Sequence, residues 1–222
     1  EACSQEEACS QEEACSQEEA CSQEALSMGR IVLASASPRR RRLLEEAGFE
    51  FEVRVSGVDE SHDPAESPEV IAEGLARRKA SAVAENSELE DALYLGADTV
   101  VALERGEGWA LLGKPANDCE AREMLGRLSG SRHAVVTGVC VVRGADGEVF
   151  QGSERTWVVM REITSAEIEA YVASGEWEDK AGGYAIQETA DAFVETLEGG
   201  GFDNVVGLPV GLTRELLRVA QG

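Results

Sequence analysis

Four consecutive arginines, Arg39 to Arg42, follow Ser35-Ala36-Ser37-Pro38 where a short apolar run gives way to a segment of helical composition. Ser37 suits the N-cap and Pro38 the first helical position, where its missing N–H costs nothing. The arginines then fall in the first turns, beside the positive end of the helix dipole, which is unfavourable unless an anion compensates. A serine-bearing loop, free backbone N–H groups and bidentate guanidinium groups together suit a phosphate or oxyanion. Pairing with Glu45 and Glu46, three or four positions on, accounts equally well for Arg41 and Arg42. For Arg39 and Arg40 the dipole favours an anion.

Lysine usage is the second feature. Residues 25–222 carry 17 arginines but three lysines: Lys79 in ARRKA, Lys114 in GKP and Lys180 in DKAGGY. A lysine kept under that bias suits a site needing a compact, mobile point charge, such as a phosphate. Lys114 and Lys180 sit in glycine-containing loops, whereas Lys79 also fits a surface position on a charged helix. Asp98, in YLGADTVV, lies in an apolar context that is costly for a carboxylate unless it is paired, hydrogen-bonded or metal-bound. It reads as a general base or a metal-holding carboxylate, or else as an aspartate in a surface turn after Gly96. Glu60, in VDE, suits a metal or water-positioning carboxylate, or a solvated acid among other acids. In EWEDKAGGYAIQ, paired glycines permit close backbone approach, and Gln187 has the donor and acceptor needed to read a uracil-type edge. His62 and His133 have no ligand spacing and read as solvated or core-edge residues. No phosphate-loop or dinucleotide glycine pattern is present.

These residues need strands and helices to hold them. Arg30–Ser35 reads as a buried strand, Pro38–Ala47 as a helix closed by Gly48, and Phe49–Ser56 as an alternating strand. Pro68–Glu85 reads as an amphipathic helix, and Leu93–Leu103 as a strand broken at Gly96-Ala97-Asp98. Trp109–Leu112 is a short apolar run, and Asn117 caps a helix ending near Leu128. His133–Arg143 and Val149–Met160 pair as a hairpin across Ala145-Asp146-Gly147. Helices over Ser165–Ser174 and Pro209–Ala220 complete the chain, with Gly199–Asn204 a mobile or tightly turned segment. The order implies an α/β fold, a mixed twisted sheet with flanking helices, in one domain with two lobes around a cleft.

The 222 residues suffice for a core without disulfides. A formal charge of −23 excludes the basic surface that non-specific nucleic-acid binding needs. No apolar run approaches the ~18 residues of a membrane-spanning helix. Residues 1–24 are EACSQE four times over, holding four of the six cysteines and eight acidic residues, and the charge without them is −15. That repeat suits either a soft-metal array or a solvated, partly disordered extension, and the second is the expectation for residues 1–27. The native protein is then expected to begin at Met28. Cys119 and Cys140 match no CxxC pattern and are expected to be reduced thiols in a cytoplasmic protein, Cys140 within the core.

In order, LASASPRR, VDE, ARRKA, GADTVV, GKP, LSGSRHAVVTGV, DKAGGYAIQ and NVVGLP resemble the Maf family of nucleoside triphosphate pyrophosphatases. The resemblance implies a cleft similar to that of the inosine triphosphate pyrophosphatases, a homodimer, and a divalent cation of the Mg²⁺ or Mn²⁺ type. It also implies hydrolysis of a nucleoside triphosphate to the monophosphate and pyrophosphate. The form of the late loop resembles the dTTP/UTP branch. The proton-accepting aspartate then falls on Asp98, and the specificity positions on Arg40, Thr99 and Gln187. The phosphate loop falls on Ser35, Ser37 and Arg39, the supporting charges on Lys79, Lys114 and Lys180, and Glu60 is the candidate metal carboxylate. Glu188 stands where the family commonly has glycine. The competing readings are a pyrophosphatase for another base, such as 7-methyl-GTP, and a non-catalytic nucleotide-binding regulator of cell division.

Overall fold

The computed structural model describes residues 29–106 and 108–222. The hexapeptide repeat, and with it the expectation for residues 1–27, lies outside the described residues. The chain forms strands β1 (Arg30–Leu33), β2 (Phe51–Val53), β3 (Ala92–Arg105), β4 (Gly108–Leu112), β5 (Arg132–Arg143), β6 (Val149–Met160) and β7 (Val194–Glu198). Its helices are α1 (Pro38–Glu46), α2 (Pro68–Glu85), α3 (Asp118–Leu128), α4 (Ser165–Ser174), α5 (Phe202–Val206) and α6 (Val210–Gln221). The strands make one mixed sheet in the order β2-β1-β3-β5-β6-β7, with β4 also on β3. The expected α/β class holds.

Local signals act as their chemistry predicts. The Ser37 hydroxyl accepts from the Arg40 N–H at the start of α1, with Pro38 in the first turn. Asn117 caps α3, and Thr164 with Glu167 forms a reciprocal capping box on α4, which ends at Gly175 in the left-handed region. β5 and β6 pair antiparallel from Arg132↔Val159 to Val142↔Val149, closing the expected hairpin. Cys140 is fully buried and Cys119 exposed, both as free thiols.

Strand β3 differs from expectation. It runs unbroken through Gly96-Ala97-Asp98, with Gly96 opposite Cys140 and Asp98 opposite Gly138 on β5, so Asp98 is no surface-turn residue. The glycines serve packing rather than turning. A Cβ on Gly96 would lie 2.2 Å from the Ala76 carbonyl oxygen, and one on Gly138 would lie 2.3 Å from the Ala72 carbonyl carbon. Helix α2 therefore rests with its backbone on the sheet, beside a layer of Val32, Tyr94, Ala76, Ala80 and Cys140. The opposite face of the sheet carries α6, with Leu217 and Ala220 against Ile31, Leu33, Leu95 and Val139.

One edge of β3 is shared. Its first residues pair parallel with β1, up to Leu33↔Leu95, and its last pair antiparallel with β4, from Val101↔Leu112. Between these partners, residues 96–100 face a split in the sheet. Side chains alternate across a strand, so Asp98 points to the α2 face and Thr99 to the face that carries α5 and α6. β7 and α5 arise where no element is expected. β7 is a short, acidic edge strand along β6, and α5 occupies the tightly turned segment after the glycine run.

Candidate active site

The split opens into a cleft of about 900 Å³. All the residues singled out for chemistry line it: Ser35, Ser37, Arg39, Arg40, Glu60, Lys79, Asp98, Thr99, Lys114, Lys180 and Gln187. They arrive from the loop after β1 and the start of α1, the loop after β2, helix α2, the middle of β3, the loop after β4 and the loop after α4. A cleft beyond the carboxyl end of a parallel strand, where neighbouring connections part, is the usual ligand position in α/β sheets.

Asp98 is 8% exposed, and its Oδ1 accepts from Lys79 Nζ at 2.5 Å. The same ammonium lies 2.7 Å from Glu60 Oε1, so one buried cation bridges two carboxylates. The hydrogen bond from Lys79 is the main reason the Glu60 carboxyl titrates below its usual range, with partial burial opposing it. The surface placement open to Lys79 is overturned: the side chain crosses from α2 to Asp98, and the residue is 9% exposed. Its ammonium is paired with both Asp98 and Glu60.

The other cations divide in the same way. Among the described residues, Arg39 and Lys114 make no side-chain hydrogen bond or ion pair, and they remain the free charges of the cleft. Lys180 donates to the Glu176 carbonyl and pairs with Glu188 at 3.3 Å, which gives the unusual Glu188 a local role. Arg42 pairs with Glu46 on the exposed side of α1, as expected. Arg40 turns inward, donating from Nε to the Gly207 carbonyl at 2.8 Å, from Nη1 to Ser35 Oγ at 3.2 Å and from Nη2 to Thr99 Oγ1 at 3.1 Å. Burial lowers its affinity for the proton, and the Asp98 charge works against that.

Gln187 is exposed at the rim, and its amide makes no hydrogen bond to the described protein. The loop before it is held by Gly182 N–H to the Gly113 carbonyl at 2.9 Å, which ties the Gln187 and Lys114 loops together. Gly182 and Gly183 have φ of 72° and 71°, and a Cβ on either would press on Val101 or Pro115. Tyr184, lining the cleft, is hydrogen-bonded to the buried His133 ring at 2.8 Å. His133 thus serves the core, not a metal.

Burial drives His133 down to about 4 from 6.5, so the folded protein holds it neutral. The unfolded chain binds the proton first, and this contribution is complete above pH 6.5 and lost as pH falls toward 4. Between pH 6.5 and 5 the loss is expected to be about 2 kcal/mol. Urea unfolding at those pH values checks it, and a His133→Gln variant should lose this part of the dependence. Carboxylates held low, such as Glu167 at about 2, keep their contribution through this range and lose it only as pH falls from 4.5 toward 2.

Some of the site carries no motif. Thr137 and Asn204, both fully buried, continue the hydrogen bonds from Thr99 into the core, and the Gly207 carbonyl anchors Arg40. The available signal is a single hydroxyl in the apolar run HAVVTGVCVV, which gains meaning only from the register placing Thr137 opposite Thr99.

The family model described as Maf-like protein matches residues 30–220, spanning the whole of this architecture. The chain belongs to the Maf family. Among Maf relatives, a Bacillus cereus (strain AH820) protein named dTTP/UTP pyrophosphatase is 49% identical over 190 residues, covering 85% of this chain and 95% of its own. Proteins of the same name from Bacillus thuringiensis subsp. konkukian (strain 97-27) and Bacillus anthracis share the same identity and coverage.

The donor chemistry fits the divalent cation implied by the Maf resemblance. Mg²⁺-type ions bind through one or two carboxylates and substrate phosphates, with water completing the shell. Glu60 and Asp98 supply two neighbouring carboxylates at the cleft. Among the described residues no group of three or more His, Cys, Asp or Glu is gathered as a self-sufficient cage. No described helix is long and apolar enough to cross a membrane.

Proposed function

We propose that this protein hydrolyses dTTP and UTP to the nucleoside monophosphate and pyrophosphate. The observation that carries the reading is the cleft's division of labour. A carboxylate held by a buried lysine faces free cations across a space of nucleotide size, and the relatives share the name dTTP/UTP pyrophosphatase.

The triphosphate lies against Arg39 and Lys114, with the Ser35 and Ser37 hydroxyls beside them. Asp98 Oδ1 is fixed by Lys79, and Oδ2 is left to accept a proton from water. The water oxygen bonds to phosphorus as the bridging P–O bond between the α and β phosphates breaks. The water proton passes to Asp98, and the bridging oxygen leaves on pyrophosphate, its new negative charge met by the cations. A divalent cation held by Glu60 and Asp98 would neutralise phosphate charge when bound. This also eases the approach of a polyanion to a chain of charge −23. Gln187, with Arg40 and Thr99, reads the pyrimidine. A cytoplasmic homodimer completes the proposal and rests on the family resemblance.

A panel of UTP, dTTP, CTP, GTP and 7-methyl-GTP, assayed with Mg²⁺ and with Mn²⁺, tests the base assignment. Turnover of UTP and dTTP well above the others is expected. Hydrolysis of a purine nucleotide with UTP and dTTP left intact would overturn it.

A further inference from the structure

Arg40 Nη2 donates to Thr99 Oγ1, and Thr99 Oγ1 shares a second hydrogen bond of 2.9 Å with Thr137 Oγ1. By distance alone either hydroxyl could donate in that pair. Thr137 Oγ1 lies 2.9 Å from the main-chain carbonyl oxygen of Asn204, an atom that only accepts. A threonine has one hydroxyl proton, and Thr137 must give its proton to Asn204. Thr99 is therefore the donor to Thr137, and its own proton is spent inside the protein. Toward a ligand in the cleft, Thr99 has a lone pair and nothing to donate.

The chain's far end is equally fixed. Thr137 and Asn204 are fully buried, and the Asn204 side-chain amide donates to the Val135 carbonyl and to Thr156 Oγ1 at 3.1 and 2.8 Å. Neither hydroxyl can turn without leaving a buried acceptor unpaired, which is costly. Arg40 has five N–H groups, three of them committed to protein oxygens, and two remain. Arg40 and Thr99 thus present donors next to an acceptor.

We infer that Thr137 is a positioning residue for substrate selection: by taking the Thr99 proton, it makes Thr99 an obligate acceptor for an N–H or O–H donor of the nucleotide. The inference deepens the proposed dTTP/UTP reading and rests on it for the ligand. Uracil and thymine present an imide N3–H flanked by carbonyl oxygens, complementary to an acceptor beside donors. Cytosine carries a lone pair at N3 and would oppose the lone pair of Thr99. A sugar hydroxyl is the other donor a nucleotide could offer.

The test compares wild type, Thr137→Val and Thr137→Ser on UTP, CTP, 3-methyl-UTP and 3′-deoxy-UTP, reading kcat/KM ratios. In Thr137→Val the Thr99 proton is released to turn toward the cleft. Discrimination against CTP is then expected to fall roughly tenfold or more, because the released proton can meet the N3 lone pair of cytosine, whereas 3-methyl-UTP, with neither donor nor acceptor at N3, stays discriminated against. Thr137→Ser keeps the hydroxyl and should restore wild-type ratios, which a merely structural role for the methyl group would not do. If the ratio that collapses is the one against 3′-deoxy-UTP, the donor is the sugar hydroxyl. Unchanged ratios in a folded Thr137→Val protein would overturn the inference.

A substrate-free measurement separates failure of this inference from failure of the functional reading. The Thr99 hydroxyl proton should give a slowly exchanging resonance in ¹H NMR, with a nuclear Overhauser contact to Thr137, that disappears in Thr137→Val. A Thr99 hydroxyl exchanging at the rate of a solvated one in wild type would overturn the proton direction, whatever nucleotide the protein hydrolyses.

Discussion

Asp98→Asn is expected to bind UTP with nearly unchanged affinity and to turn it over about 10²- to 10⁴-fold more slowly, the range for a positioned general base. Asparagine keeps the shape and an oxygen that Lys79 can reach at the Oδ1 position, but it has no carboxylate to take a proton. The buried ammonium retains Glu60 at 2.7 Å, so the variant does not strand an unpaired charge. That distinguishes it from Lys79→Met, in which Asp98, 8% exposed, would lose its only direct ion pair among the described residues. Measuring kcat and nucleotide Kd on the same Asp98→Asn preparation, with its melting temperature as a control for folding, separates chemistry from structure. Unchanged kcat would remove Asp98 as the base.

The second large effect is on stability. Gly138→Val is expected to destabilise the fold by about 3 kcal/mol, the upper part of the range for overpacking a tight core. The obstacle is the Ala72–Glu73 backbone, 2.3 to 2.4 Å from where the new Cβ would sit, and no rotamer change relieves a clash at Cβ. Helix α2 must lift from the sheet, and with it Lys79. For a chain of this size the cost corresponds to a melting temperature roughly 10 °C lower. Gly74→Ala on the same helix is the control, since its Cβ would meet nothing within 4 Å and alanine favours helix by up to about 1 kcal/mol. Equal melting temperatures for Gly138→Val and wild type would contradict the close approach of α2 to the sheet.

Those glycines also mark where sequence reading reaches its limit. Ser37 and Asn117 announce their helices because an N-cap is a local event, and the β5–β6 hairpin is announced by the Ala145-Asp146-Gly147 turn between apolar runs. Gly96-Ala97-Asp98 has the composition of a turn but is mid-strand. Its glycine answers to a helix twenty residues earlier in the chain, and its aspartate to Lys79 on that helix. β7 escapes because an acidic edge strand shows no alternation, and α5 because five residues are too few for a period. The cleft residues are legible one loop at a time through their unusual chemistry and, in order, through the Maf resemblance. The sorting of cations into free (Arg39, Lys114) and committed (Lys79, Lys180) is not legible, because it depends on which carboxylate or carbonyl the fold brings within reach. The same holds for Thr137, whose proton direction follows from a register and a main-chain carbonyl.

In the proposed reaction, water directed by this cleft breaks the α–β phosphoanhydride of a uracil or thymine nucleotide. Product analysis tests it most directly: UTP is incubated with the protein and Mg²⁺ or Mn²⁺, and the nucleotide and phosphate products are separated and counted. UMP and pyrophosphate in equal amounts are predicted; UDP with inorganic phosphate, or UTP left intact, would contradict it.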